Sequence, residues 1–359
     1  MKKIALISIA CSFLLGGCWD EQLYKDLTIV PLIGYEGEPG ELKGYYTKLE
    51  VTNGTASYST VEGSGVSPRE TRLDANRKTG ETLSVTQLQV MLLAGETVKS
   101  DVIKTFDVLF RAPTNPLSSK FVVVEGKMAP YMKKPEKVSV ELPNYYIDML
   151  EAAISFSIIP DIDIQQTAGL LFDDAIDLAL PFVKMSEMTG TPEVWGVALF
   201  SGKVFTDHTL DKQESTIVQV LRKKPGKHTL FTYTWEKEDK SYPITVELAT
   251  YKKKWDIRDS KIDATYKMKF GVEEFPSDHL DEDKTRKELE KFLSKELTKD
   301  FNKVIKKLQE AKSDVVGFGR NVRAFHPQLW NKGKWNDTFS ELDINVKVEA
   351  EITRTGILN

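Results

Sequence analysis

The chain has 359 residues, of which 28% are charged and 41% hydrophobic, and its formal net charge is −4. Those proportions belong to an ordinary globular protein, not to a disordered or fibrous chain. Acidic and basic residues are interspersed with no concentrated basic face, which argues against a nucleic-acid partner.

The first element is a leader. Lys2 and Lys3 precede a mostly apolar run from Ile4 to Leu15, the n-region and h-region of a signal peptide. The run falls short of the roughly 20 residues that a membrane-crossing helix needs. Leu15-Gly16-Gly17-Cys18 follows and resembles the lipobox of bacterial lipoproteins. Residues 1–17 are therefore expected to be removed and Cys18 to carry diacylglycerol through its sulfur. Cys11 leaves with the leader, so Cys18 becomes the sole thiol and no intrachain disulfide is possible. Two or more acyl chains give stable anchoring where one is marginal. Trp19, beside the lipid, is expected either at the headgroup level or packed on the first domain.

Beyond the anchor, about 340 residues leave room for two or three domains. Leu27 to Ile33 reads as a strand, Tyr35 to Gly40 as a turn, Tyr45 to Thr52 as a strand, and the Gly/Ser/Thr-rich stretch from Asn53 to Ser67 as a loop. Ser67-Pro68 opens a short polar helix as N-cap and first helical residue. Val85 to Leu93 reads as a buried strand. Ser100 is expected to cap a helix carrying Val102, Ile103, Phe106, Leu109 and Phe110, stopped by Pro113. Lys120 to Glu125 is a strand. Tyr145 to Ser155 and Thr167 to Ala179 read as amphipathic helices, the second ended by Pro181.

The composition breaks at Met185 to Pro192, and the pattern changes after it. Val194 to Phe200 and Val204 to Thr206 form a hairpin, and Asp211 to Lys223 a helix. Thr229 to Trp235, Tyr242 to Lys252 and Lys261 to Val272 alternate as an antiparallel meander with one wet face. Leu280 to Ala311 repeats apolar residues at spacings of three and four and must lie across a sheet to hide them. Leu342 to Ile352 alternates as a half-buried strand. The expected fold class is α+β: three domains of mixed, mainly antiparallel sheets packed with helices. They are an N-terminal domain at 18–190, a middle domain at 191–260, and a C-terminal domain at 261–359 with a long helix at 280–311.

Residues that carry chemistry are sparse. His208, His228, His279 and His326 make no zinc-helix pair. The segment from Gly196 to Lys203 lacks both the spacing of a phosphate loop and the hydroxyl that would hold magnesium, since Val204 stands there. Gly317-Phe318-Gly319 lacks the third glycine of a dinucleotide fingerprint. Gly63-Ser64-Gly65 is not a nucleophile elbow. Asp278, Asp281 and Asp283 lack the glycine and terminal glutamate of a calcium loop, and read as acids at a helix start. The expectation is no enzyme activity, no catalytic residue, no metal and no cofactor.

Gly17-Cys18-Trp19-Asp20 with Asp26-Leu27 and Val30, the elements at 63–76 and 87–96, and Trp195-Gly196-Val197-Ala198-Leu199-Phe200 resemble the C-subunit lipoproteins of spore germinant receptors, the GerAC family. The end of the chain is similar too: Asp314 to Gly319, His326-Pro327, Trp330, Trp335, and Val346 to Gly356. The resemblance implies three α+β domains on the outer face of the spore inner membrane, working with integral membrane A and B subunits in the response to nutrients. It implies no enzyme chemistry and carries over no ligand site. The competing expectation is a lipid-anchored extracytoplasmic solute-binding protein, whose two βαβ lobes the meander disfavours. Trp330 and Trp335 flank Asn331-Lys332-Gly333-Lys334, as a partner-binding hot spot or, more commonly, as braces holding a loop on the core.

Overall fold

The protein is described by a computed structural model covering residues 27–111, 116–136, 138–237, 240–258, 260–276 and 280–355. The expected leader, Cys18, Trp19, Asp278 and His279 lie outside the described residues.

The N-terminal half is organised on one eight-stranded sheet. In chain order its strands are β2 (Leu32–Glu38), β3 (Glu41–Thr52), β4 (Thr55–Gly65), β6 (Val90–Ala94), β7 (Lys120–Val124), β8 (Ala179–Met185), β9 (Pro192–Ser201) and β10 (Val204–Asp211), and in space they run β10-β9-β8-β7-β6-β2-β3-β4. Its centre, β2-β6-β7-β8, is parallel, and an antiparallel run flanks it on each side. A parallel centre is covered on both faces, so its strands read as unbroken apolar runs. Val90-Met91-Leu92-Leu93-Ala94 is buried throughout. Alternate residues feed two cores: Leu32, Val90, Leu92 and Val122 face one side, and Ile33, Met91, Leu93 and Val123 the other.

Helices α3 (Leu142–Ser155) and α5 (Lys212–Leu221) cover the first face through Tyr146, Leu150, Ile217 and Val218. On the second face lie α1 (Pro68–Thr79), α2 (Ile103–Arg111) and α4 (Ile164–Leu171), through Ala75, Ile103 and Leu170 among others. A two-stranded parallel sheet joins β1 (Leu27–Ile29) to β5 (Thr82–Ser84).

The C-terminal half holds a four-stranded sheet ordered β11-β12-β13-β14, from Leu230–Lys237, Lys240–Arg258, Lys261–Glu274 and Asp343–Arg354. The first three strands form the expected meander, and β14 returns parallel to β13. Between them run α6 (Asp283–Glu310), α7 (Phe318–Phe325) and α8 (Trp335–Glu341). The 28 residues of α6 span about 42 Å at 1.5 Å each. Leu289, Leu293, Leu297, Phe301, Val304, Ile305 and Leu308 bury its apolar stripe.

The polar side of α6 meets the edge of β14. Glu290, Ser294, Thr298 and Asn302 accept hydrogen bonds from the backbone N–H of Ile352, Ala350, Val348 and Val346, at 2.8, 2.9, 2.9 and 2.9 Å. Four helical residues advance about 6.0 Å and two strand residues about 6.6 Å, so i+4 on the helix keeps step with i−2 on the strand.

Several expectations change. Asn53 to Ser67 is not a loop: Asn53 and Gly54, with φ of 52° and 78°, make the tight turn between β3 and β4, a strong hairpin dipeptide. The small residues of β4 admit α1, since a Cβ on Gly63 would stand 1.9 Å from the Thr71 carbonyl oxygen. Pro31 splits the first expected strand into β1 and β2. Of the span from Val85 to Leu93 only the part from Val90 is strand, because a turn closes Leu88 N–H on the Val85 carbonyl. At α2 the side chain that accepts from Ile103 N–H is Asp101, not Ser100. Thr167 to Ala179 is helical only to Leu171, and Pro181 lies in β8. Pairing of β8 with β7 begins at Phe182, so the missing N–H of Pro181 interrupts no ladder on that side.

The expected divisions at 190/191 and 260/261 both fall inside hairpins. Strands β8 and β9 pair from Met185 with Pro192 onward, and β12 and β13 pair through Arg258 with Lys261. The Ser/Gly/Thr composition at 186–191 belongs to a turn within one sheet. The change of sheet comes later, between β10 and β11, and α5 spans it.

Candidate functional site at the junction of the two sheets

Helix α5 is capped at its start by a reciprocal pair, Asp211 accepting from Glu214 N–H and Glu214 from Asp211 N–H. Lys303 and Lys307 of α6 meet the other Glu214 oxygen at 3.2 and 2.5 Å. Its far end rests on the second sheet. The Val220 carbonyl accepts from Tyr251 Oη at 3.0 Å, and the Leu221 carbonyl from Lys253 Nζ at 3.3 Å and Tyr266 Oη at 3.4 Å. Carbonyls of the last helical turn, Val220's shared with Lys223 N–H, thus become the bond between the two halves.

A second bond is a pair of buried acids. Asp177, just before β8, accepts from Gly202 N–H, Asp314 N–H and Asn336 Nδ2, at 2.7, 2.7 and 2.8 Å. Asp314, four residues after α6, accepts from Gly317 N–H at 2.8 Å and Phe318 N–H at 3.1 Å on Oδ1. Its Oδ2 takes Gly319 N–H at 2.7 Å and Trp335 Nε1 at 2.9 Å. Both acids sit where the chain after α6 is stitched onto the first sheet. Burial pushes the Asp314 carboxyl up to about 7 against the pull of its donors, and raises Asp177 in the same way. Gly319 is required by proximity, because a Cβ there would lie 2.5 Å from Trp335 Nε1 and 2.7 Å from the Ala175 carbonyl oxygen.

Beside these bonds opens a cleft of about 560 Å³ lined by Arg222, Lys224, Lys253, Arg320, Trp255 and Phe325, among others. Asp173 holds Arg320 at 2.8 Å and Arg323 at 2.9 Å. Lys253 Nζ stands 3.9 Å from the centre of the Trp255 ring. Burial, reinforced by Lys223, lowers Lys253 to about 8. Burial, reinforced by Arg320, lowers Arg222 to about 10.

The two tryptophans have different surroundings. Trp335 is 2% exposed, and its indole N–H is committed to Asp314. It braces the core and presents no surface for a partner. Trp330 is half-buried, 5.5 Å from Trp335 between ring centres, with the Arg323 guanidinium 5.6 Å from its ring. His208 is exposed with Nδ1 on the Thr206 carbonyl, His228 meets Glu247 at 2.8 Å, and His326 ends α7. Among the described residues no group of His, Cys, Asp and Glu is placed to hold a metal ion. The Gly317-Phe318-Gly319 segment is the donor cradle of Asp314. Sequence reasoning did not find Asp177, Arg222 or the role of Asp314. The one local signal was an aspartate followed after two residues by Gly-Phe-Gly at a helix start.

Two family models match the chain, "Spore germination protein N-terminal domain" over residues 20–185 and "Spore germination B3/ GerAC like, C-terminal" over residues 195–356. Spore germination protein GerQC of Bacillus cereus is 23% identical over 363 residues, covering 99% of each chain. Spore germination protein KC of Bacillus subtilis (strain 168) is 23% identical over 399 residues, covering 99% of this chain and 96% of that protein. The crystal structure of the GerBC protein superposes with a TM-score of 0.56 at 19% identity, over 90% of this chain and 97% of that one. That last likeness is one of fold, and it agrees with the α+β class read from the sequence. With both halves matched and relatives aligned end to end, the chain belongs to the GerAC family of spore germination proteins.

Proposed function

We propose that the chain is the non-catalytic C subunit of a nutrient germinant receptor, held by lipid on Cys18 at the outer face of the spore inner membrane. There it serves receptor assembly or signalling together with integral A and B subunits. The observation that carries this reading is the match of two spore germination family models over residues 20–185 and 195–356. The lipobox at Cys18 supplies the anchor. Among the described residues no helix is long and apolar enough to cross a membrane. A body tethered within a residue or two of its lipid explores only a shallow layer above the bilayer. That confinement raises its local concentration toward a membrane partner, so a weak protein interface suffices. Trp19 next to the lipid and the half-buried Trp330 are the aromatic residues proposed for the membrane surface and a partner respectively.

The test is Cys18→Ala in spores, with a tagged chain. The expected result is loss of the protein from the membrane fraction, loss of A and B subunits from the tagged purification, and loss of most nutrient-triggered germination. A variant that still sediments with membrane and germinates normally overturns the proposal.

A further inference from the structure

The cleft at the junction of the sheets is lined by Arg222, Lys224, Lys253 and Arg320, and the described residues that line it include no aspartate or glutamate. Of these cations, Arg320 is spent on Asp173. Lys253 has an indole face and one helix-end carbonyl for partners, neither of which carries a full negative charge. Arg222 is the decisive group. Its Nη1 is buried and meets no acceptor among the described residues, while the side chain is itself partly exposed where it borders the cleft.

The acid whose charge reaches Arg222 is Asp314. Both Asp314 oxygens are already occupied, by three backbone N–H groups and the Trp335 indole. Arg222 is the C-cap residue of α5, where the helix dipole favours a cation, but only with about half a charge. The last carbonyls of that helix are taken by Tyr251, Lys253 and Tyr266. A guanidinium with an unmet donor in a desolvated wall is costly to keep. It is also the side chain whose planar fork matches a phosphate or carboxylate. The rest of the cleft is not a bare ion site. Trp255, Phe325 and Leu170 give it apolar walls, Gln166 and Asn321 add neutral polar groups, and its volume of about 560 Å³ falls in the usual range of small-molecule pockets.

We propose that this cleft binds an organic oxyanion, a phosphate or carboxylate carried on an apolar or planar body, with the charged group on Arg222 and Lys253 and the body against Trp255 and Phe325. Two sources carry this chemistry, a soluble small molecule and the headgroup of an anionic lipid. The full lipoprotein, seated in phosphatidylcholine vesicles, is titrated with phenyl phosphate, benzoate and inorganic phosphate while tryptophan fluorescence and heat are followed. A parallel series adds phosphatidylglycerol to the vesicles.

The expected result is a saturable response that weakens about tenfold or more in Arg222→Met and in Lys253→Met. The thermal midpoint of Arg222→Met should not fall, because that change removes a buried cation without a paired acceptor. A response to the free aryl oxyanions identifies a soluble ligand. A response only to phosphatidylglycerol, lost in the same variants, identifies a headgroup. No saturable response to any probe, or one unchanged in both variants, overturns the proposal. Should Arg222→Met fail to fold, Lys253→Met decides alone, since its ammonium reaches the cleft from β12.

Discussion

Replacing Asn302 with alanine tests the polar seam between α6 and β14. The Asn302 amide accepts from Val346 N–H at 2.9 Å and donates to the Val346 carbonyl at 2.7 Å, so one side chain serves both backbone groups of an edge residue. It also donates to the Thr298 carbonyl at 2.7 Å within its own helix. Truncation leaves the two Val346 groups without partners in a half-buried seam. Each such orphan costs about 1–3 kcal/mol, and partial access of water puts the pair at the lower end. Alanine recovers roughly 0.5 kcal/mol of helix propensity. The expected loss is about 1.5–2.5 kcal/mol, against about 1 kcal/mol for Thr298→Val, which removes a hydroxyl from the same seam. Urea denaturation gives the magnitude, and amide hydrogen exchange over residues 343–354 gives the location, with Val346 exchanging faster in Asn302→Ala. A loss below about 0.5 kcal/mol, or unchanged exchange at Val346, would mean that water replaces the asparagine and that the seam does not hold the strand.

Two further outcomes follow from the acid pair. The folded-state Asp314 carboxyl is raised to about 7 from 3.8, so the folded chain holds its proton where the unfolded chain has released it. Its contribution to stability is therefore fully present below about pH 4 and is lost as pH rises toward 7. Subtracting the denaturation profile of Asp314→Asn isolates this slope, and a difference that is flat or rises across that window refutes the raised value. Gly319→Ala should destabilise by at least about 1–3 kcal/mol and shift the tryptophan emission, because the added methyl group meets Trp335 Nε1 and the Ala175 carbonyl. An unchanged midpoint would show that the segment from Gly317 to Gly319 yields without disturbing the junction.

What the sequence made legible was local and periodic. The apolar stripe of α6, the alternation of β14, the Ser67-Pro68 start of α1 and the three-strand meander are each written in consecutive residues, and the structure follows them. Strand β4 was hidden because its Ser, Thr and Gly residues serve an exposed hairpin face and the close approach of α1, so they mimic loop composition. The Asn53-Gly54 turn was the overlooked signal. Continuity of the large sheet past residue 190 had no local signature, since a turn inside a sheet and a linker between units share their composition. The junction was less legible still. Asp177 and Asp314 are 137 residues apart, and their pairing is fixed only once both sheets exist. Arg222 reads as one more surface cation in a basic run until the wall around it is assembled.

The seam between α6 and β14 works like a zip whose teeth are cut at two different pitches. Sliding the strand by one residue would carry Ile344, Val346, Val348 and Ile352 from the core to the opposite face at once, so no partly correct alignment is rewarded. A chain that must wait for residue 343 before completing its second sheet is thereby protected from settling on a near miss. The same side chains occupy the margin at which a stray strand from another molecule would otherwise add itself.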